Sequence, residues 1–390
     1  MKILFLYWDS CFCCVDMLDA MADRREKRHD LDVVIADMND PDSYEKEELI
    51  NYISGKIKSS RCDFMFSFGF FPIISDVCED LSVTYVSWTF DNPAVNLFTP
   101  SVKNKCNRIF VFDSDMADHL TGLGIGHVWF LPMAVNPKRL NRFVPDNEKH
   151  KIFDTDVSFV GSLYTEKHCF YDQMYPLLDE RTRGYLDGLI SSQGILYGVN
   201  IIEDCLTDDI LASLKKARSF PHFGFETDSW TYSSYVINRK LTSLERSSII
   251  AKAGRLFGCR LYTSDEGFHS EGVDNLGEID YFHVMPYVFK CSQINLNITL
   301  RSIIKGIPLR CFDILGCGGF MLTNFQEDML KFFEPGVDFV CWDDKKQIPE
   351  LIAYYLENEE ERNRISASGA GKVRESHTFA KRLDEILRKI

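Results

Sequence analysis

The sequence predicts an α/β protein made of two parallel-sheet domains, and three observations carry that expectation. Apolar runs alternate with helical stretches from Lys2 onward, the order of strand–helix–strand crossovers. The stretch SQINLNITLRSIIKGIPLRCFDILGCGGFMLTN, from Ser292 to Asn324, repeats that order in compact form. The 390 residues also exceed the ~250–300 at which a single core stops growing.

Lys2–Trp8 reads as a buried first strand. The turn after it, Asp9-Ser10-Cys11-Phe12-Cys13-Cys14, lacks the glycines with which a dinucleotide fold approaches phosphate, which argues against a nicotinamide enzyme. A helix from Val15 to about Lys27, a strand Leu31–Ala36 and an amphipathic helix from about Tyr44 to Lys58 continue the alternation. Asp63–Phe68 follows as a strand, then a helix near Ile73–Asp80, then the strand Val83–Trp88, which ends on Phe90-Asp91-Asn92-Pro93. Loops at the carboxyl ends of parallel strands line the ligand crevice, so Asp91 is a candidate for acceptor binding or acid–base work. As a turn former before proline it would have a structural role instead.

Arg108–Phe112 ends on Asp113-Ser114-Asp115. Such a D-x-D can hold a divalent metal and a sugar-nucleotide diphosphate. Here a helix begins at once, so Ser114 or Asp115 is expected as its N-cap. Gly122–Gly126 comes after that helix and reads as a helix stop leading to Val128–Leu131.

The charged segment from Asn136 to Asp156, with Pro137 and Pro145, is expected to link the domains and to divide the chain into residues 1–150 and 151–390. Val157–Ser162 opens the second α/β unit, where Gly161 would let backbone approach a ligand or close a tight turn. Residues 168–250 read as mostly helical. Gly258–Tyr262 is a short strand, and Tyr281–Lys290 a helix leading into Ser292.

Within the Ser292 stretch, Ile294, Leu296 and Ile298 alternate with polar residues at strand spacing. Pro308 suits a helix start, the helix is expected to reach Leu315 and stop at Gly316, and Gly318-Gly319 turns the chain into the strand Phe320–Leu322. Free N–H groups at that helix start, with Arg301, Lys305 and Arg310 around them, make a place for a phosphate. Asp313, three residues after Arg310, shares its face and would offer a carboxylate to ribose hydroxyls. Helix starts beside arginines also commonly bind only water. After this stretch come an apolar-striped helix from Ile348, a solvated charged segment Glu357–Arg364, and a last helix whose stripe of Phe379, Leu383, Ile386, Leu387 and Ile390 is expected to pack back onto the body.

Lys+Arg 44 against Asp+Glu 58 gives a net charge of -14, which argues against nucleic acid or anionic lipid as main partner. Hydrophobic residues at 45% and charged residues at 26% are ordinary globular values. The opening MKILFLYW is too short for a signal peptide, and no apolar run approaches the ~20 residues of a membrane span. Thirteen cysteines, an odd number without paired C-x-x-C motifs or zinc-spaced histidines, read as free thiols of a cytoplasmic protein, with no metal site expected at Cys11–Cys14.

From about Tyr281 to its end the chain resembles the spore-maturation-type (CgeB-like) glycosyltransferases. The residues that carry the resemblance are INLNITLRS, GIPLRCFDILGCGGFMLTN, FFEPGVDFV and RISASGAGKVRESHTFAKR. FSFGFFPIISDVC, VSWTFDNP and FVFDSD resemble that family's first domain. The resemblance implies two facing Rossmann-like domains, the GT-B fold, with the acceptor on the first and the nucleotide-sugar on the second. It implies transfer of a sugar, from a UDP-sugar in the first instance, with no obligatory metal or other cofactor.

The donor contacts expected on this basis are Gly161, Ser162, Tyr281, Asn297, Thr299, Arg301, Gly306, Leu309, Arg310 and Asp313, with Asp91 as the catalytic candidate. In the larger retaining families of this fold, two glutamates eight positions apart bracket the helix and the later one binds ribose. Asp313 stands at that later place, one carbon shorter, whereas Lys305 stands at the earlier. That departure leaves donor-sugar contacts and retention of configuration open.

The expectation is therefore a bacterial-type glycosyltransferase whose diphosphate leaving group is stabilised by a helix N-terminus and arginines. Its rivals are a metal-dependent transferase using Asp113 and Asp115, a sugar-nucleotide epimerase, and a non-catalytic nucleotide-sugar-binding protein. The acceptor, whether glycan, protein or small molecule, is left unassigned.

Overall fold

A computed structural model of the chain describes residues 1–165, 169–222 and 224–390. It contains two six-stranded, wholly parallel sheets, each within its own compact unit.

The first sheet has the order β2-β1-β3-β4-β5-β6. Its strands are β1 (Lys2–Tyr7), β2 (Asp32–Asp37), β3 (Phe64–Phe68), β4 (Thr84–Thr89), β5 (Asn107–Val111) and β6 (Val128–Phe130). The central strands carry continuous apolar runs because helices cover both faces of a parallel sheet. All five residues of β3, Phe-Met-Phe-Ser-Phe, are buried. Phe5 stacks on Phe66 with ring centroids 5.4 Å apart, and Phe68 meets Trp88 at 5.4 Å.

The second sheet has the order β12-β11-β10-β7-β8-β9. Its strands are β7 (Thr155–Val160), β8 (Cys259–Tyr262), β9 (Val273–Asn275), β10 (Ser292–Asn297), β11 (Met321–Asn324) and β12 (Val340–Trp342). Its core joins Val157, Phe159, Ile294, Leu296, Leu322 and Trp342 to Ile249 and Ile352 of flanking helices. A separate apolar cluster, including Met174, Leu186, Ile210 and Val236, holds together the helical region between β7 and β8. No helix among the described residues is long and apolar enough to cross a membrane.

Two boundaries differ from the sequence reading, at the start of the second unit and at the chain's end. The compact units divide at Asn136/Pro137 rather than at residue 150, because the supposed linker is partly helical. Its helix Asn147–Phe153 packs on the helix Met285–Cys291 of the second unit, where Phe153 stacks on Tyr287 at 6.0 Å. The solvated charged run after Glu357 leads into the helix Glu359–Ser376, whose glutamates at 359–361 suit the positive end of its dipole.

The last fifteen residues, 376–390, belong to the first unit. There Phe379, Leu383 and Ile386 are buried, while Ile390 is exposed. The helix Phe379–Leu387 packs on the helix Phe12–Arg28, and Arg24 pairs with Asp384.

Candidate functional site

The stretch after Ser292 folds as strand, loop, helix and strand. β10 pairs in parallel with both β7 and β11. A buried amide lattice fixes the exit from β10. Asn297 Nδ2 donates to Thr323 Oγ1 at 2.9 Å and to Thr299 Oγ1 at 3.1 Å, and the Thr299 N–H donates to Asn324 Oδ1 at 2.7 Å. Asn297 and Thr299 therefore hold the loop that follows them. Gly306 and Ile307 are buried at the end of that loop, and the helix Leu309–Cys317 begins with Pro308 at its N-cap. Gly318 ends the helix at φ 81, and a Cβ on Gly319 would lie 2.6 Å from the Phe289 carbonyl oxygen, so neither position accepts a side chain readily.

The start of this helix has an unusual charge arrangement. No side chain caps its first turn and no acidic residue lies in it, yet Arg310 does, a cation placed at the positive end of a helix dipole. Arg310 Nη1 donates to the Val160 carbonyl at the end of β7. Among the described residues no carboxylate pairs with Arg310. Gly161 follows Val160 at φ +148, a conformation L side chains rarely adopt, and an added Cβ would lie 3.5 Å from Arg310 Nη1.

A second guanidinium stands close by, from a helical region in which the sequence showed no chemistry. Arg246 donates through Nε to the Ile298 carbonyl at 2.9 Å and through Nη1 to the Ser162 carbonyl at 2.6 Å. It thereby ties the ends of β10 and β7 together. Its guanidinium lies over the Tyr164 ring at 4.8 Å. Burial lowers the Arg246 pKa from its ordinary value, and the charge of Arg310 pushes it the same way. Ser162 Oγ accepts the Tyr164 N–H at 2.9 Å. Arg310, the uncapped helix start and the Gly161 backbone thus gather at the carboxyl ends of β7 and β10, with Arg246 behind them, an arrangement suited to an anion.

Asp313 lies one turn further along the helix and is 2% exposed. The Tyr281 hydroxyl donates to its Oδ1 at 2.9 Å, and the Arg139 guanidinium lies 5.3 Å from the Tyr281 ring centroid. Arg310 and Asp313 keep their one-turn spacing but serve different partners. Leu309 is the first residue of the helix.

Arg301 has a different role from the one its sequence position suggests. It is 8% exposed and donates to Glu245 through Nε at 2.6 Å and Nη2 at 2.9 Å, and to the Leu196 carbonyl through Nη1 at 2.7 Å. Its guanidinium also stacks 3.8 Å from the Tyr197 ring centroid. This cation fastens the loop to the helix Asn238–Phe257, whereas Arg310 stands in the first turn of the Leu309 helix. Lys305 reaches Glu327 at 3.9 Å.

Within the first unit, Asp91 follows β4 in an exposed turn that contains a cis Asn92–Pro93 bond. Although its surface area places it in solvent, crowding by surrounding protein atoms raises its pKa above the usual carboxylate value, and the charges of Asp40 and Asp42 add to the rise. Asp113, not Ser114 or Asp115, caps the helix Ser114–Gly122. It is buried, and its Oδ1 accepts the Asp115 N–H at 3.0 Å.

Comparison with known proteins connects this geometry to a family. Residues 243–388 match the family model described as glycosyl transferase-like, a segment that starts on the helix of Glu245 and Arg246 and includes the whole Ser292 stretch. No curated protein sequence matches the chain. Among solved structures, the chain is similar to HepE from Anabaena in complex with UDP-glucose, at 10% identity and TM-score 0.55, covering 100% of this chain and 98% of that one. It is similar to sucrose-phosphate synthase from Thermosynechococcus elongatus, at 10% identity and TM-score 0.56 with the same coverage. It is also similar to UDP-GlcNAc 2-epimerase from Neisseria meningitidis, at 11% identity and TM-score 0.50, covering 100% of both chains. The fold is that of the GT-B glycosyltransferases, and residues 243–388 are the part that matches the glycosyl transferase-like model.

Proposed function

We propose that this protein transfers a sugar from a UDP-sugar to an acceptor, with the donor held by the second unit. The observation that carries the proposal is the uncapped helix start with Arg310 in its first turn, inside the segment that matches the glycosyl transferase-like family. The choice of UDP rests on HepE, a structure of similar fold that holds UDP-glucose.

In this reading the diphosphate lies on the first-turn amides of the Leu309 helix. Gly161 leaves room for it, and Arg310 and Arg246 supply positive charge. As the bond from sugar to phosphate breaks, negative charge grows on the departing UDP, where fixed dipoles and cations lower the barrier. Two guanidiniums and a helix end would serve in place of a divalent metal. Asp313 accepts from the ribose hydroxyls once the Tyr281 hydroxyl yields its Oδ1. The first unit presents the acceptor. If configuration inverts, Asp91 takes the acceptor proton, and its raised pKa keeps it a stronger base than an ordinary aspartate.

The test is a thermal-shift screen of the full chain against UDP, GDP, ADP, CMP and TDP and their common sugars, with and without EDTA. Saturation at 100 times Kd adds about 2.7 kcal/mol, equivalent to roughly 5–11 °C at 2–4 °C per kcal/mol. The expected result is a shift with the UDP compounds that survives EDTA and collapses in Asp313→Asn. An unchanged shift in Asp313→Asn would remove the ribose assignment, and no shift with any nucleotide would remove the donor site. Conversion of a UDP-sugar without acceptor would replace transfer by epimerisation.

A further inference from the structure

We infer that the second unit contains a divalent metal site of zinc type, formed by His150, Asp154 and Cys291, which staples the helix before β7 to the helix before β10. The ligand atoms of the three side chains all lie within 4.8 Å of one another, and they are the one group of three or more such residues in reach of a common ion among the described residues. His150 Nδ1 and Asp154 Oδ1 are 2.7 Å apart, four residues apart at the end of the helix Asn147–Phe153. Cys291 is the last residue of the helix Met285–Cys291 and is 7% exposed.

Taken without the cysteine, His150 and Asp154 would be an ordinary exposed helix pair of little energetic value. The thiol supplied by another helix changes that. Imidazole, carboxylate and thiolate together are a ligand set for zinc rather than for magnesium or calcium. Around a tetrahedral ion, bonds of about 2.0–2.3 Å space the ligand atoms about 3.4–3.6 Å apart. The observed range of 2.7 to 4.8 Å brackets that spacing, so shifts of roughly an ångström close the site.

The backbone beneath the three ligands is already fixed. Asp154 directly precedes β7 and Cys291 directly precedes β10, and these strands pair from Thr155 and Ser292 onward. Tyr287 clamps the two helices from one side, with Phe153 stacked on it at 6.0 Å and Phe143 against its edge at 5.4 Å.

Binding is balanced as Zn²⁺ displacing one proton from the Cys291 thiol. The bound ion then faces one thiolate and one carboxylate, a neutral set, with water as the fourth ligand. The site lies at the amino ends of β7 and β10, about 20 Å along the strands from Gly161 at ~3.3 Å per residue. Its role is therefore to hold the two helices in place, not to activate substrate.

The test uses the full chain, stripped with chelator and kept reduced, titrated with Co²⁺ and read by thiolate-to-cobalt charge-transfer absorption in the near ultraviolet. One equivalent of Co²⁺ should bring up the band and Zn²⁺ should abolish it. The band should be absent in Cys291→Ser and need at least ten times more Co²⁺ in His150→Ala. Zn²⁺ should raise the melting midpoint of the parent chain and of neither variant. Failure of any band to form, a band unchanged in Cys291→Ser, or one unchanged in His150→Ala would overturn the assignment. Should Cys291→Ser not fold, His150→Ala decides, because that side chain is 47% exposed and its truncation leaves the core intact.

Discussion

Replacing Arg301 by methionine separates the two arginines of the Ser292 stretch. In the native chain Glu245, 3% exposed, accepts from Arg301 Nε and Nη2 at 2.6 and 2.9 Å. Removing the guanidinium leaves a buried carboxylate with the Tyr197 hydroxyl at 2.9 Å and Lys345 at 3.7 Å as its remaining support. Breaking a buried pair by deleting one partner costs about 3–5 kcal/mol. The Leu196 and Gly194 carbonyls, which accept from Nη1 and Nη2, also lose their donors. At 2–4 °C per kcal/mol, the melting midpoint should fall by roughly 6–20 °C. The change should be partly reversed in the Arg301→Met/Glu245→Met double variant, because replacing both members of a buried pair by apolar groups is far less costly than removing one. Calorimetry of the four proteins of this cycle measures the coupling directly. A single variant that melts within about 2 °C of the parent would refute the reasoning, as would a double variant no more stable than Arg301→Met.

Arg310→Met should behave in the opposite way. It forfeits a charge-assisted contact of about 1.5–3 kcal/mol to the ligand, and so weakens UDP binding by roughly 10- to 150-fold in a calorimetric titration while moving the melting midpoint by only a few degrees. The first unit should show a separate acid sensitivity. His377 is buried, and that burial, with Arg382 beside it, lowers its pKa to about 3 from the ordinary 6.5. The unfolded chain binds a proton there near pH 6.5 while the folded chain does not. His377 therefore costs no stability above that pH, and stability is lost progressively as pH falls from about 6.5 towards 3. Chemical unfolding at pH 7 and pH 5 should show a smaller loss for His377→Gln than for the parent chain.

The sequence reading was strongest where burial makes the pattern uniform. Strands such as Phe64–Phe68, covered on both faces, declare themselves by composition, and the glycines and proline around the Leu309 helix mark its ends. The three-residue edge strands β9 and β12 are too short to show a period. A charged segment shows its solvation but not its helix. Glu359–Arg364 is polar because it faces water, and the same residues form the start of a helix.

The site was legible as a place and less so as a set of contacts. A cation in a loop does not announce its partner. That of Arg301 lies 56 residues earlier, within LTSLERSSII, and a Glu–Arg pair enclosed by small and apolar residues was the available sign that both side chains are buried. The same segment contains Arg246, whose hold on the ends of β7 and β10 only the fold brings out.

The first unit is assembled from residues 1–136, 222–226 and 376–390, and this discontinuity sets the order in which it can be completed during synthesis. Phe379 lies 5.9 Å from Trp88 and 6.5 Å from Phe68, ring centroid to ring centroid, so the aromatic centre of the first sheet waits for a side chain translated long after its strands. At 5–20 residues per second, about 250 residues separate the last of its strands from that helix by roughly 12–50 s. Throughout that interval the nascent sheet exposes one side of Trp88. A message truncated just before Ser376 would yield a second unit with all of its residues beside a first unit that has no means of closing.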